Sequence, residues 1–224
     1  MTVGVRFVKN AGLILSKPLS VILLLIYLGQ TAFMVYIITD RHKKDLTIQE
    51  HLKKISELEE KLKIFKIIED FQVGFNTEEV GKLTSLIYSE SQKYGYQPLL
   101  LLALIKTESS FRGGLESYQG AQGLLQLRPF VAYDVARRSN LNWKGDKALF
   151  NPEFNIRIGS LYLFELILKF KDVKQAIIAY NQGEESLRLR LKYGHGLPKL
   201  FYQKFVNNYK LLQEKYEKIS VDRI

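Results

Sequence analysis

The sequence predicts an all-α protein, with one long N-terminal helix followed by a domain of shorter helices. Three observations predict it. From residue 76 onward apolar side chains recur at intervals of three and four, and no stretch alternates with period two. Helix-starting and helix-ending residues punctuate that stretch: Asn76, Pro98, Asn151-Pro152, Asp172 and Gly183. Residues 19–39 form a 21-residue run without a charge. As a helix, such a run is long enough to cross a bilayer core of about 30 Å.

Residues 1–18 make a short basic tail carrying Arg6, Lys9 and Lys17. Residues 19–39 read as a transmembrane anchor. The competing reading is a signal peptide with its apolar region at Leu19–Leu28 and cleavage near Ala32. Such cleavage wants a small-x-small pattern, which Gln30 and Thr31 do not supply, and the apolar run continues to Ile38. Three Lys/Arg precede the segment and five follow it closely; counted alone, this leans toward a cytoplasmic carboxy terminus. Residues 40–75 follow as an amphipathic helical stalk or linker. Ile48, Ile55 and Leu62 recur every seven residues, with Leu58 and Phe65 between them and His51 in the remaining seam position. Fewer than four heptads leave two readings, a solvated stalk and a self-associating one.

Residues 76–224 form the folded domain. Asn76 with Glu79 makes a capping box for a helix over 77–94. Pro98 suits the first turn of the next helix, LLLLALIKTESSF. A loop rich in glycine follows (Gly113, Gly114, Gly120, Gly123), and Asn155–Phe170 is a long apolar helix. Asp172 caps Val173–Tyr180, which ends at Gly183. Phe201, Phe205, Tyr209, Leu212 and Tyr216 mark one face of the last helix.

Composition narrows the function. The chain is 46% apolar and 25% charged, which excludes a disordered or fibrous protein. With no cysteine there is no disulfide and no thiolate nucleophile. His42, His51 and His195 are scattered, so no metal site is expected. The net charge is +10, and residues 76–224 alone carry 22 basic against 15 acidic groups. That favours an anionic partner. The basic residues are dispersed around a single Arg137-Arg138 pair, which argues against nucleic acid.

Three segments carry candidate chemistry. On a helical projection Leu101, Leu104 and Ile105 fall within about 60° of Glu108, while Lys106 lies about 160° away. Glu108 therefore sits on the apolar stripe, where lost hydration favours the protonated form of a carboxyl group and suits it to general acid work. Gly120-Ala121-Gln122-Gly123-Leu124-Leu125-Gln126 allows a sharp turn at two glycines and offers the Gln126 amide to a ligand. In Ala179-Tyr180-Asn181-Gln182-Gly183, Tyr180 shares a face with Val173, Ala176 and Ile177. It should point inward, with its hydroxyl seeking a partner.

In order and spacing, these segments resemble the lytic transglycosylases of the soluble-lytic-transglycosylase type, relatives of goose-type lysozyme. The family pattern is a Glu-Ser pair at a helix end, a Gly-Ala-x-Gly-Leu-Met-Gln turn and an Ala-Tyr-Asn-x-Gly segment. Here they stand as Glu108-Ser109, Gly120–Gln126 and Ala179–Gly183. Ser117, Pro129, Ala132, Asn155-Ile156, Gly159 and Tyr162-Leu163 fit the spaces between, and the resemblance covers about residues 80–212. Leu125 replaces the usual methionine, Glu184-Glu185 replaces small or Pro/Gly residues, and Phe205 stands where tyrosine is common.

The resemblance implies a lysozyme-like helical catalytic domain that cuts the β-1,4 bond between N-acetylmuramic acid and N-acetylglucosamine in peptidoglycan. It implies Glu108 as acid and then base, with a 1,6-anhydro product. It implies substrate-binding roles for Ser109, Gln126, Tyr180 and Asn181: Ser109 and Gln126 bond the sugar or orient Glu108, Tyr180 holds the carboxyl or the acetamido group, and Asn181 contacts saccharide or braces the structural loop, which is shaped by Gly120, Gly123 and Gly183. It requires no cofactor. The partners it implies are peptidoglycan glycan strands, the membrane through residues 19–39, and either self-association through the stalk or cell-wall machinery. The substrate lies outside the cytoplasmic (inner) membrane, so the domain should face the periplasm or cell wall on a single-pass anchor, against the slight Lys/Arg lean. Two alternatives remain. A hydrolytic muramidase would want a second carboxylate, for which Glu116, Asp134 and Glu184 are the candidates. An inactive peptidoglycan-binding scaffold would keep the groove without cleavage.

Overall fold

The computed structural model describes residues 17–217, so the basic tail lies outside it except for its last two positions. The chain divides into two compact units, Met1–Ile55 and Ser56–Ile224. Helix α1 runs unbroken from Lys17 to Phe71. In the first unit its apolar side chains from Leu19 to Ile38 are exposed. Among the described residues it is the one helix long and apolar enough to cross a membrane.

The second unit begins with the last turns of α1. Ile64, Ile67 and Ile68, spaced i, i+3 and i+4, are at most 2% exposed and belong to the core. The seam residues Ile48, Ile55 and Leu58 are exposed. The segment read as stalk is thus divided: of its seam residues Leu62 and Phe65 are half-buried and Phe65 packs on the core, beside Ile64, Ile67 and Ile68.

Local chemistry sets the next helices. Helix α2 (Thr77–Tyr94) carries both halves of the capping box: Asn76 accepts from the Glu79 amide at 2.9 Å, and Glu79 accepts from the Asn76 amide at 2.8 Å. It ends at Gly95, whose left-handed φ of 71° suits a residue without Cβ. Helix α3 (Pro98–Glu108) has proline in its first turn and buries every residue from Leu101 to Ile105. It ends at Glu108, earlier than the apolar sequence suggests, because Ser110 and Phe111 take positive φ values of 52° and 62°. That reversal turns Phe111 into the core, where its ring stacks on Phe71 at 6.2 Å.

Helix α4 (Pro129–Arg138) and a short 3-10 helix (Asp146–Phe150) lead into α5 (Pro152–Phe170), which is capped by the Asn151 side chain. Asp172 caps α6 (Val173–Gln182), and α7 (Glu184–Lys192) and α8 (Leu200–Tyr216) complete the order. Helix α3 packs on α8 and α2, while α5 packs on α2, α4 and α6. Among the described residues there is no β-strand, only isolated bridges such as Gln122 with Leu127.

Candidate active site

Glu108 closes α3, so its carboxyl lies at the end of a helix, where aligned peptide dipoles place negative charge. The apolar run behind it removes water from one side. Burial pushes this carboxyl up to about 8, against the opposing pull of the Lys204 ammonium. Both flanking residues are fixed. Ser109 is fully buried, and its hydroxyl donates to the Ile105 carbonyl at 3.2 Å. The Thr107 hydroxyl donates to the Ala103 carbonyl at 2.7 Å.

The glycine-bearing loop is held by a ring of hydrogen bonds. Gln122 and Leu127 exchange backbone bonds at 3.0 and 3.1 Å, and the Gly123 amide donates to the Leu115 carbonyl at 2.9 Å. Gly123 has a φ of 78°, and a Cβ there would run into the Leu149 carbonyl and the Asn155 side chain. Only glycine meets both demands. Asn155, buried on α5, clamps the loop: it accepts from the Leu125 amide at 2.8 Å and donates to the carbonyls of Gln122 and Leu149 at 2.9 and 3.0 Å. The Gln126 side chain donates to the carbonyls of Leu115 and Gly123 at 3.0 and 2.9 Å.

Tyr180 ties α6 to this loop. It is buried, and its hydroxyl donates to the Leu125 carbonyl at 2.9 Å. Burial, and then the nearby Glu108 carboxylate, push that hydroxyl well above the usual tyrosine range, so it stays protonated. The Tyr162 ring lies 5.2 Å away, and burial pushes the Tyr162 hydroxyl up to about 12. Gly159 of α5 lets these pieces close: a Cβ there would strike the Leu125 side chain and sit 3.1 Å from the Tyr180 hydroxyl. Leu125 is fully buried in the place the family gives to methionine.

The structure therefore brings Glu108 and Tyr180 together electrostatically and joins Tyr180 to the loop at Leu125. It does not bring the other expected residues to a sugar in the same way. Ser109 is 0% exposed, so the expected sugar contact finds no open surface, and its hydroxyl serves the helix end instead. The Gln126 donors are engaged within the loop, which leaves only its side-chain oxygen for a ligand. Asn181 is exposed on the last turn of α6. Gly120 and Gly183 adopt positive φ values of 72° and 92°, at the turn entry and at the end of α6. Phe205 is buried between the rings of Tyr202 and Tyr209.

Sequence reasoning missed the clamp role of Asn155, although an asparagine amid the apolar face of α5 signals a buried hydrogen-bonding task. It missed Lys204 entirely, because nothing local to Lys204 points to Glu108. The alternative carboxylates are engaged elsewhere. Glu116 accepts from Gln122 at 3.3 Å, and Asp134 pairs with Arg138 and Arg137. Burial alone would raise the Glu184 carboxyl, but hydrogen bonds from Lys169 and Arg188 hold it below the usual range. Among the described residues no group of three or more acidic or histidine side chains is placed to hold a metal ion.

The site joins a helical domain to one carboxyl raised by burial at the end of an apolar helix. Residues 85–199, about half of the chain, match the family model of the transglycosylase SLT domain, and the chain belongs to that family. It is 42% identical over 108 residues to the membrane-bound lytic murein transglycosylase C of Histophilus somni, covering 44% of this chain and 30% of that protein. It is 33% identical over 135 residues to the membrane-bound lytic murein transglycosylase E of Buchnera aphidicola, covering 58% and 60%. The chain thus spans less than two thirds of the length of these relatives. Among solved structures, an inactive mutant of lytic transglycosylase Slt from Pseudomonas aeruginosa aligns with a TM-score of 0.47 and 26% identity, over 58% of this chain and 22% of that one. The 70 kDa soluble lytic transglycosylase of Escherichia coli aligns with a TM-score of 0.48 and 21% identity, over 61% and 25%.

Proposed function

We propose that the chain is a membrane-anchored peptidoglycan lytic transglycosylase. It cleaves the β-1,4 bond between N-acetylmuramic acid and N-acetylglucosamine without consuming water. The observation that carries this is the half-buried Glu108 at the end of an apolar helix, where burial pushes its carboxyl up to about 8. A carboxyl protonated at neutral pH can donate to the glycosidic oxygen as that bond breaks. The substrate's acetamido group then supports the sugar cation, outside the two-carboxylate scheme of most glycosidases. The ionised Glu108 next takes the proton of the C6 hydroxyl, which attacks the anomeric carbon and closes the 1,6-anhydro ring. Glu108 ends neutral, ready for another turnover.

The remaining roles follow. Tyr180 holds the loop at Leu125 and lines the wall beside Glu108. Asn181 and the free oxygen of Gln126 are the polar groups left to meet saccharide. Residues 19–39 anchor the chain in the cytoplasmic membrane, with the domain on the wall side. A large following domain translocates largely regardless of flanking charge, so the Lys/Arg lean yields to the location of the substrate. Of the second carboxylates hydrolysis would need, Asp134 and Glu184 are paired with cations, which leaves Glu116 as the candidate to orient water.

The test is digestion of purified peptidoglycan by the detergent-solubilised protein, read by mass spectrometry. Anhydro ends are expected, lost in Glu108→Gln; reducing ends would show hydrolysis instead. No cleavage by a folded wild-type protein would leave a binding scaffold. A reporter fused to the carboxy terminus checks the topology, and a cytoplasmic signal refutes it.

A further inference from the structure

The last carbonyls of a helix have no partner within it. At the end of α3 the Thr107 carbonyl, one residue before Glu108, accepts from the Lys204 ammonium of α8. One turn further along α8, Asn208 donates to the Thr107 hydroxyl at 3.0 Å. That hydroxyl itself donates back to the Ala103 carbonyl. Two side chains spaced i, i+4 on α8 therefore grip one residue by both its backbone and its side chain. The gripped residue is 1% exposed and immediately precedes the carboxyl. Lys204 itself lies on the exposed side of α8, so its cation reaches the helix end from solvent.

We infer that Lys204 and Asn208 are positioning residues for Glu108: together they grip Thr107 from α8 and fix the helix end that aims the carboxyl. This rests on the reading of Glu108 as the acid. Glu108 is faced by Lys204 from α8 and by Tyr180 from α6, with Tyr162 of α5 behind Tyr180. Lys106, on the same helix as Glu108, lies instead over the Phe71 ring at 3.4 Å. Lys204 is thus the cation that opposes the desolvation of Glu108. A positive charge at the negative end of a helix favours the ionised carboxylate that must act as base in the second half of the reaction. The two residues separate by chemistry, since Asn208 supplies aim without charge.

The experiment measures kcat and KM against pH for the full chain and for Lys204→Met, Lys204→Arg and Asn208→Ala, with Glu108→Gln as control. Lys204→Met keeps the apolar stem but removes the donor and the charge. It should lower kcat about tenfold or more, as small misplacements of a reacting group do, with KM within about twofold, the pattern of a lost transition-state interaction. Its alkaline limb should move to higher pH. Lys204→Arg should restore most of kcat and return the limb to its wild-type position. Asn208→Ala should lower kcat with the limb unmoved. A Lys204→Met enzyme with wild-type kcat and an unmoved limb, in a protein that Glu108→Gln inactivates, overturns the inference alone. Cleavage retained by Glu108→Gln overturns the reading of Glu108 and this inference with it. Should Lys204→Met fold poorly, Lys204→Gln replaces it. That variant keeps a donor without the charge, and an unmoved limb there overturns the electrostatic role.

Discussion

Shortening Ile67 to alanine probes whether the end of α1 is part of the domain. Ile67 is 2% exposed and lies between Ile64 and Ile68, each 1% exposed. Removing three carbons from such a site loses their transfer free energy and leaves a cavity, at a cost of about 2–5 kcal/mol. Ile67 also borders a half-open surface cleft of about 280 Å³ whose lining includes Glu60, Lys63, Gln213 and Glu217. Part of the space left by the truncation opens onto that solvated cleft, so the lower half of the range, about 2–3.5 kcal/mol, is expected. For a domain of this size each 1 kcal/mol moves the melting temperature by roughly 2–4 °C, so a fall of roughly 4–14 °C should follow. Ile55→Ala is the control: Ile55 is 47% exposed on the heptad face and should change stability by less than about 0.5 kcal/mol. Circular dichroism melts of the detergent-solubilised chain read both. The reasoning fails if Ile67→Ala melts within about 2 °C of wild type, or if Ile55→Ala falls as far. A corollary concerns truncation. Removing residues 56–75 strips three buried isoleucines, worth about 1.5–3 kcal/mol each, which is comparable with the whole stability of an ordinary domain. A fragment starting at residue 76 should therefore be unfolded or molten.

Asn155→Ala leaves the buried Leu125 amide and the carbonyls of Gln122 and Leu149 without their partner; a loss of about 3 kcal/mol or more and a disordered loop are expected, read by thermal melting and by lost cleavage. Gly159→Ala forces a methyl against Leu125 and the Tyr180 hydroxyl; overpacking of about 1–3 kcal/mol should come with reduced kcat, and an unchanged melt would refute the contact. Tyr180→Phe removes the donor to the Leu125 carbonyl and should destabilise by about 1–3 kcal/mol, the desolvation penalty of an unmet buried acceptor. Glu108→Gln should stabilise the protein as pH rises. The folded carboxyl holds its proton up to about pH 8, whereas the unfolded one releases it near pH 4–5, so the wild type loses stability between those values and the glutamine variant does not. Below that window, with both carboxyls protonated, the two proteins should melt together, and equal melts at pH 9 would contradict the burial of Glu108.

Much of this protein is local physics and could be read from the chain. The capping box at Asn76 and Glu79, the proline opening α3, the Asp172 cap and the apolar run of residues 19–39 each depend on neighbours within a few positions. The placement of Glu108 on the apolar stripe of α3 was legible for the same reason, since helical periodicity fixes which side chains share a face. Periodicity names a face but not what covers it. It marked Ile48, Ile55, Leu58, Leu62 and Phe65 as one seam, whereas the first three are exposed, Phe65 packs on the core, and Ile64, Ile67 and Ile68 are the residues buried there. The family resemblance implied that Ser109 and Gln126 bond the sugar or orient Glu108; the fold engages the serine hydroxyl and the glutamine donors with backbone carbonyls. The partners that finish the site stand far off in sequence: Asn155 is 30 residues from the Leu125 amide it holds, and Lys204 is 97 from Thr107. Such contacts exist only once the helices have closed on one another, because burying a carboxyl and satisfying an orphan carbonyl are tasks set by neighbours in space.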